Sequence, residues 1–467
     1  MLIFKNDSRI ERYCEDTMMR GNPDAVLVAR DLQDVREALC YCSSENIPVT
    51  FCGSQTSMTG ASVAESGLLI STEKMENFLD LSVVSEKSAM ATVQSGIITG
   101  ELRKTVAEQG WFYPPAPTSQ DECRIGANVS TNATGEDSFQ YGSTRRYVRE
   151  IKVLMAEGTE KIFSRAPDEK KPLDWNYGGY LLESANPLDW FIGGEGTLGF
   201  IYEVTVDLLA APLGAFSALA PFLSNESAIR FAVEVVREGI LKPRAMELID
   251  SGALEFMKTH PTFPESLKNS PALIYFKQEY HSDSDLEKYL SMWMQKIGCN
   301  GSQTPCRGSQ TLIATTEKQK EDLRRWRHHI PSKINEEYRH YWKVGGGKVG
   351  SDWWVPIPRL EEMMAYVYRT GKDLGVPFMA YAHIGRGHPH VNYLCKTPEE
   401  KQRAQALLLD CCRKAVSLGG GVAGEHGIGK LHRDLMPIQW SAADLDRMRQ
   451  IKREFDPKYL LGKGNIF

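Results

Sequence analysis

The chain of 467 residues carries a formal net charge of −5, with 42% hydrophobic and 25% charged residues. These values are typical of a soluble globular protein of about two or three domains, and a pI near 6.1 provides no basic field for nucleic acid or anionic lipid. The longest apolar runs are far shorter than the roughly 20 residues of a membrane span, and the N-terminus lacks a signal-peptide pattern. We therefore expect a cytoplasmic protein with no transmembrane segment, no nucleic-acid partner and reduced cysteines.

The first part of the chain alternates short β-rich runs with helical patterns, as α+β and α/β domains do. Alternation and capping residues predict strands over 24–29, 47–51, 150–156 and 201–208, and a helix over 31–46. Beyond residue 213 the helical patterns are longer, over 225–238 and 285–297, with polar loops such as 300–309. A charged amphipathic helix is predicted over 441–455. The change in pattern near residue 213 indicates a second domain.

Three segments rich in Gly, Ser and Thr lie beside the predicted strands. They read PVTFCGSQTSMTG at 48–60, YPPAPTS and CRIGANVSTNATG between 113 and 135 with YGSTR at 141–145, and WFIGGEGTLGFI at 190–201. Small residues allow the backbone N–H groups to approach a phosphate or a flat ligand closely. Taken singly, each segment is also compatible with an ordinary surface loop or a tight connection.

Two further motifs hold four of the ten histidines: YAHIGRGHPHVN at 381–392 and GEHGIGK at 424–430. His383, His390 and Glu425 form a three-ligand set that suits zinc, manganese or iron and leaves coordination positions open. His426 would then be available for proton transfer. The alternative is a pair of unrelated histidines in a Gly-rich loop, and His388 could be a ligand, a support for a ligand or an exposed side chain.

The order of the three polar segments resembles the FAD-binding domain of the vanillyl-alcohol oxidase/PCMH superfamily, whose versions run PRGGGTSLSGG, PPDPAS…TIGGNVATNAGG…YGTTR and GSEGTLGIIT. The histidine motifs are similar to GHxGDGNLHxN and GEHGIG in the branch that contains D-lactate dehydrogenases, the glycolate oxidase flavin subunit and D-2-hydroxyglutarate dehydrogenase. The resemblance extends from about residue 23 to residue 467. This chain departs from it at Cys52, Gln55, Ser57 and Thr134, and it has Arg386 and His388 where Asp and Asn are usual.

The resemblance implies an α+β fold with three regions. Residues 1–212 would form a PCMH-type FAD-binding domain of two subdomains. Residues 213–412 would form an α+β substrate (cap) domain with an antiparallel sheet and the metal-binding histidines. Residues 413–467 would return to the FAD domain, complete its site and carry Glu425 and His426.

The resemblance also assigns roles to residues. Noncovalent FAD would be bound by Gly53, Ser54, Gln55, Thr56, Ser57, Thr59, Pro117, Thr118, Gly126, Asn128, Thr131, Arg145, Glu195, Gly199, Ile201 and Asn465. A divalent metal (Zn, Mn or Fe) would be bound by His383, His390 and Glu425. Arg327, Lys348 and Asn392 would bind the substrate, and His426 would be the catalytic base.

The implied activity is FAD-dependent oxidation of a D-2-hydroxy acid, such as D-lactate, glycolate or a dicarboxylate, to the 2-oxo acid, with hydride transfer to flavin N5. Arg386 could favour a second carboxylate or face solvent. Electrons would leave through an electron-transfer flavoprotein, an iron–sulfur subunit or a quinone, and the chain could form a homo- or hetero-oligomer. Two alternatives stay open: a flavin transferase like alkylglycerone-phosphate synthase, and a non-catalytic electron-relay flavoprotein subunit. A flavin-free metallohydrolase is the least favoured.

Overall fold

The computed structural model describes residues 1–172, 175, 178–298 and 310–467. The predicted loop over 300–309 lies outside these residues. The chain divides into two compact units. The first unit comprises Met1–Gly135, Tyr141–Ala211 and Ala423–Phe467, and the second comprises Glu136–Gln140 and Pro212–Val422.

The first unit begins with a small sheet and one helix. The elements are β1 (Leu2–Phe4), β2 (Ala25–Val28), α1 (Leu32–Glu45), β3 (Val49–Cys52) and β4 (Leu68–Ser71), and the strand order is β1-β2-β4-β3. Strands β2, β4 and β3 are parallel. The Asp31 side chain accepts a hydrogen bond from the Asp34 N–H and begins α1, and Asn46 ends it in the left-handed conformation. The strands and helix predicted here are confirmed.

A second sheet of the first unit contains longer antiparallel strands. The elements in this region are β5 (Phe78–Ser85), β6 (Ser88–Gln94), α2 (Thr99–Ala107), β7 (Trp111–Phe112), α3 (Ile125–Thr131), β8 (Val148–Leu154), β9 (Glu160–Ser164), α5 (Leu188–Phe191) and β10 (Phe200–Ala210). The short helix α4 (Ser138–Tyr141) comes between α3 and β8 in the chain, but its first three residues belong to the second unit. The order is β5-β6-β10-β8-β9, and β7 pairs with β10. Strand β10 alternates buried and half-buried side chains, as its sequence predicts.

The second unit contains an antiparallel sheet with helices beside it. Its elements are β11 (Gly214–Phe222), α6 (Asn225–Glu238), β12 (Ala245–Ile249), α7 (Ser251–Met257), β13 (Ala272–Tyr280), α8 (Asp283–Gly298), β14 (Leu312–Ala314), α9 (Glu317–Tyr338), β15 (Gly347–Gly350), α10 (Leu360–Leu374), β16 (Phe378–His383), β17 (His388–Cys395) and α11 (Pro398–Ser417). The strand order is β14-β11-β13-β12-β16-β17-β15. Every pairing in this sheet is antiparallel, which confirms the predicted sheet type.

The chain ends in the first unit with α12 (Met436–Gln439) and α13 (Ala442–Phe455). Helix α13 confirms the helix predicted over 441–455, and the Ser441 side chain caps its N-terminus. Short 3-10 helices lie at Ser8–Tyr13, Thr144–Arg146, Glu265–Leu267, Arg339–Val344, Ile357–Arg359, Ile384–Arg386 and Arg433–Leu435. Over the described residues, no helix is both long enough and apolar enough to cross a membrane.

The predicted domain boundaries need correction at two places. The predicted boundary at 412 falls inside α11, where Cys411 and Cys412 are buried, so the helix stays in the second unit and the crossing comes at Ala423. Residues 136–140 also belong to the second unit. The Asp137 carboxylate lies 2.7 Å from the Arg244 guanidinium within that unit, a pairing between residues distant in sequence that no local pattern shows.

Candidate functional site

The first unit contains a cavity of about 490 Å³, within the range of small-molecule sites. The loop after β3, the stretch around α3 and the turn before β10 line it, so the three polar segments of the sequence meet here. The lining includes these residues predicted to bind the cofactor: Gly53, Ser54, Gln55, Thr56, Ser57, Pro117, Thr118, Gly126, Asn128, Thr131, Glu195, Gly199 and Ile201.

The chemistry of this cavity suits a polar, flat ligand such as FAD. Ser62 and Ser95 both line it, and within the described residues their buried hydroxyl oxygens have no hydrogen-bond partner. A buried polar group without a partner costs about 1–3 kcal/mol, so a ligand with hydrogen-bonding groups would remove that cost. The small side chains around these serines leave the backbone accessible to phosphate oxygens. The residues present therefore fit the cofactor.

Arg145 does not line the cavity, although it was predicted to bind the cofactor. Its guanidinium is buried and lies 2.9 Å from the Asp189 carboxylate, and it also donates to the Asp189 carbonyl. Burial favours the neutral form of Asp189, but the cations Arg165 and Arg145 keep the pKa of that carboxyl below its usual value. Arg145 therefore supports the fold beside the turn at Ile192, to whose carbonyl it also donates.

Thr59 and Asn465 also lie outside the cavity lining and hold the segments that form it. The Thr59 carbonyl accepts the N–H of Lys430 at 2.9 Å. The Asn465 amide donates to the carbonyls of Ala61 and Glu195, each at 2.9 Å, while its oxygen accepts from the Lys430 ammonium at 2.8 Å. The C-terminal residues thus fix the first loop and the third segment.

Glu195 holds the loop that follows His426. Its two carboxylate oxygens accept the backbone N–H groups of Ile428 and Gly429, both at 2.6 Å. Complete burial raises the pKa of Glu195 to about 7, against the two N–H groups, which favour the carboxylate. The sequence placed Glu195 in a Gly-rich turn, and the structure gives this side chain a definite partner, the GEHGIGK segment.

Glu425 and His426 both line the same cavity of the first unit. The Thr134 hydroxyl donates a hydrogen bond to Glu425 Oε2, so a residue that departs from the resembled motif contacts a predicted ligand. The other carboxylate oxygen lies 3.7 Å from Nε2 of His426. The structure therefore brings the predicted third ligand and the predicted base together beside the cofactor cavity.

The other two predicted ligands lie in the second unit, on the hairpin of β16 and β17. His383 pairs with His388 across the hairpin, and Tyr381 pairs with His390. The ring centroids of His383 and His390 are 5.4 Å apart, and those of His388 and His390 are 4.6 Å apart. All three imidazoles are buried. The seven-residue spacing thus gathers the two predicted ligands within one unit.

Glu247 on β12 connects His383 to Arg327 on α9. Its Oε1 lies 2.7 Å from Nδ1 of His383, and its Oε2 lies 2.8 Å from a guanidinium nitrogen of Arg327. Burial opposes ionisation, but Arg327 and His383 together lower the pKa of this carboxyl. The Arg327 side chain is nearly buried, with 10% of its surface exposed. The predicted substrate-binding cation is therefore part of a buried network.

His388 and Arg386, whose roles the sequence left open, are both buried and both bonded. Nε2 of His388 lies 3.0 Å from the carboxylate of Asp352, and Arg386 donates to the Ser138 carbonyl at 2.9 Å. Asp352 and Ser138 were not predicted to take part. The interpretation of Arg386 as a solvent-facing cation is wrong, because the residue is buried.

Lys348 and Asn392 lie on adjacent strands, β15 and β17. The Lys348 ammonium is buried and donates to the Asn335 side-chain oxygen at 3.1 Å. Burial lowers the pKa of Lys348 to about 8. Asn392 pairs with Gly350 in the sheet, and its amide donates to the His390 carbonyl at 3.1 Å. Asn392 therefore supports the backbone of a predicted ligand.

Sequence reasoning missed Glu247, although one signal was available. It is the sole charged residue in the strand Ala245–Ile249, whose five residues are all buried. A carboxylate in such a strand requires a partner, since a buried unpaired charge is very costly. Nothing local identified the partners, because His383 and Arg327 come from distant elements.

Comparisons with known proteins match both parts of the chain. A model described as "FAD binding domain" matches residues 23–164, and one described as "FAD linked oxidases, C-terminal domain" matches residues 215–466. Glycolate oxidase subunit GlcD of Bacillus subtilis is 26% identical, over 97% of this chain and 91% of that protein. D-lactate dehydrogenase of Archaeoglobus fulgidus is 27% identical, over 93% of this chain and 89% of that protein. D-2-hydroxyglutarate dehydrogenase of Stutzerimonas stutzeri is 25% identical, over 95% of this chain and 91% of that protein.

A solved structure shares the fold. An alkyldihydroxyacetonephosphate synthase superposes with a TM-score of 0.67 at 15% identity, over 95% of this chain and 76% of that one. At this identity the likeness concerns architecture alone.

Proposed function

This chain belongs to the FAD-linked oxidases, whose C-terminal-domain model covers more than half of it, and from this premise we propose that it is an FAD-dependent dehydrogenase of D-2-hydroxy acids. The observation that carries the proposal is the cavity of the first unit, which is lined by most of the predicted cofactor residues and by the predicted base His426. The relatives named for D-lactate, glycolate and D-2-hydroxyglutarate indicate the substrate class. The product is the corresponding 2-oxo acid.

Each of the site residues then has a separate role in catalysis. Arg327 and Lys348 bind the substrate carboxylate, since Lys348 is a buried cation of the second unit and Arg327 is a nearly buried one. His426 takes the proton of the substrate hydroxyl. His383 and His390, with Glu425 as third ligand, are the residues that would hold a zinc, manganese or iron ion, which when bound lowers the pKa of that hydroxyl. FAD, when bound noncovalently, supplies the acceptor for the hydride of the α-carbon.

The electrons must leave the reduced enzyme through an external acceptor. The sequence contains no spacing typical of an iron–sulfur cluster or of haem attachment. An electron-transfer flavoprotein, an iron–sulfur subunit or a quinone would each serve. The rate at which each of these acceptors reoxidises the reduced protein would identify the class of acceptor.

Anaerobic reduction of the bound flavin tests the proposal. Separate samples of the purified protein are mixed with D-lactate, L-lactate, glycolate or D-2-hydroxyglutarate, and the loss of the flavin absorbance is recorded in each. The metal content of the same protein preparation is measured as well. We expect stoichiometric bleaching by at least one D-2-hydroxy acid or glycolate and none by L-lactate. A flavin that stays oxidised with every acid would contradict the proposal and favour the transferase or electron-relay alternative.

A further inference from the structure

Glu247 occupies a position between two groups to which the proposed function assigns different tasks. One carboxylate oxygen lies 2.7 Å from His383 Nδ1 and the other lies 2.8 Å from the Arg327 guanidinium. The three side chains come from β16, β12 and α9, and Glu247 is 1% exposed. Each oxygen of this carboxylate therefore has its own partner.

The contact with Nδ1 fixes the tautomer and the orientation of His383. A carboxylate that accepts the Nδ1–H leaves the lone pair of the neutral ring on Nε2, so a metal would be bound through Nε2. Such a contact also makes the imidazole more basic. Loss of a supporting carboxylate typically weakens metal binding by about 10–100-fold.

The contact with Arg327 fixes the guanidinium in the same way. The fork of Arg carries five N–H donors, so one face can bind Glu247 while the other donors point elsewhere. Glu136 adds negative charge near Arg327, which raises the pKa of the guanidinium further, and the Tyr275 hydroxyl holds Glu136 at 2.9 Å. The cation is thereby held in one place before a substrate arrives.

We propose that Glu247 is a shared positioning residue, which orients the metal ligand His383 and the carboxylate-binding Arg327 at once. This inference rests on the proposed function, since that function assigns the two tasks. Its consequence is that one substitution at Glu247 weakens metal binding and substrate binding together. A purely structural role would lower stability and leave both affinities unchanged in the folded protein.

The test compares Glu247→Gln with Glu279→Gln in the full chain with FAD bound. Glu279 is a matched control, because it is a buried carboxylate of the same sheet that accepts a hydrogen bond from Gln140 at 2.7 Å. The metal is first removed, and the affinity for Co²⁺ is then measured by competition with a chromophoric chelator. We expect Glu247→Gln to bind Co²⁺ about 10–100-fold more weakly and Glu279→Gln to match the unaltered protein.

The second measurement is the KM for the acid that reduces the flavin, separately from kcat. We expect Glu247→Gln to raise KM by about 10-fold, because a guanidinium that is no longer held in one orientation pairs less well with the substrate carboxylate. If Glu247→Gln does not fold, Glu247→Asp carries the test. This variant keeps the charge, but its shorter side chain cannot reach both partners, so at least one of the two affinities falls.

Co²⁺ affinity and KM that both match the unaltered protein would overturn the inference, whatever the thermal stability. Co²⁺ affinity that His383→Ala leaves unchanged would overturn it too, because His383 would then be no ligand. The Co²⁺ affinities are measured without flavin reduction, so they judge the role of Glu247 separately from the proposed function.

Discussion

A β-carbon on Gly427 would lie 2.5 Å from Oε1 of Glu195, closer than any real carbon approaches an oxygen without displacement. Gly427 also has a φ of +79°, in the left-handed region that favours glycine. The loop after His426 therefore approaches Glu195 as closely as it does because residue 427 has no side chain. The two N–H bonds to Glu195 depend on this approach.

Gly427→Ala is expected to displace this loop and to reduce turnover by at least about 10-fold, because His426 is the preceding residue and a misplacement near 1 Å can cost far more. Gly110→Ala is the matched control. Its φ of +82° imposes the same backbone cost, but nothing lies within 4 Å of the added carbon. Turnover with the physiological acceptor class or with a dye measures the effect, and equal turnover in both variants would contradict the steric argument.

Glu195→Gln is expected to change how stability depends on pH. Burial raises the pKa of Glu195 from 4.5 to about 7, so the folded protein retains a proton that the unfolded chain releases between these values. The contribution of this group to stability is therefore fully present below about pH 4.5 and is lost as the pH rises through about 7. Glutamine does not titrate, so the variant should lose less stability than the unaltered protein between pH 5 and pH 8.

Thermal unfolding midpoints at these two pH values measure the difference. The variant is also expected to be less stable at pH 8, because the glutamine amide cannot accept the second backbone N–H and a buried donor is left unpaired. A pH dependence identical to that of the unaltered protein would show that Glu195 does not titrate in this range.

His426→Ala is expected to retain FAD and to lower kcat by about 10²–10⁴-fold, as removal of a general base does. His426 lines the cofactor cavity, but most of the cavity wall is formed by other residues, so FAD should still bind without this side chain. His281→Ala is the control, because this histidine is 65% exposed and belongs neither to the β16–β17 hairpin nor to the GEHGIGK segment. Flavin content after gel filtration and anaerobic flavin reduction give the two readouts, and near-normal reduction would remove His426 from the role of base.

The sequence predicted those parts of the site that local patterns encode. The residues 48–60, 113–135 and 190–201 contain small residues beside strands, and most of those predicted to bind FAD line one cavity. Arg145 was assigned to the cofactor and is paired with Asp189 instead. A basic side chain next to a polar segment has the same appearance in either role, since only the folded chain shows the buried carboxylate that attracts it.

The same limit applies to Glu247 and to residues 136–140. The carboxylate of Glu247 contacts two elements that follow it by more than 70 residues, and such pairings leave no trace in a short window of sequence. The partner of His388 could not be predicted either. The motif identifies His388, but its partner Asp352 comes from a separate segment before α10. Periodicity predicts which face of an element is buried, but partners across the sheet are decided by tertiary packing.

Lys348 is expected to make substrate binding depend on pH. Burial lowers its pKa to about 8, and its hydrogen-bond partner Asn335 is neutral. The ammonium is therefore charged below about pH 8 and loses its charge above it.

If Lys348 binds the substrate carboxylate, KM should rise by about 10-fold or more between pH 7 and pH 9.5, because a charge-assisted hydrogen bond is lost. Lys348→Arg stays charged over this whole range and should abolish the rise, since a guanidinium does not titrate below about pH 12. A KM that rises equally in both proteins would assign the pH dependence to another group and remove Lys348 from substrate binding.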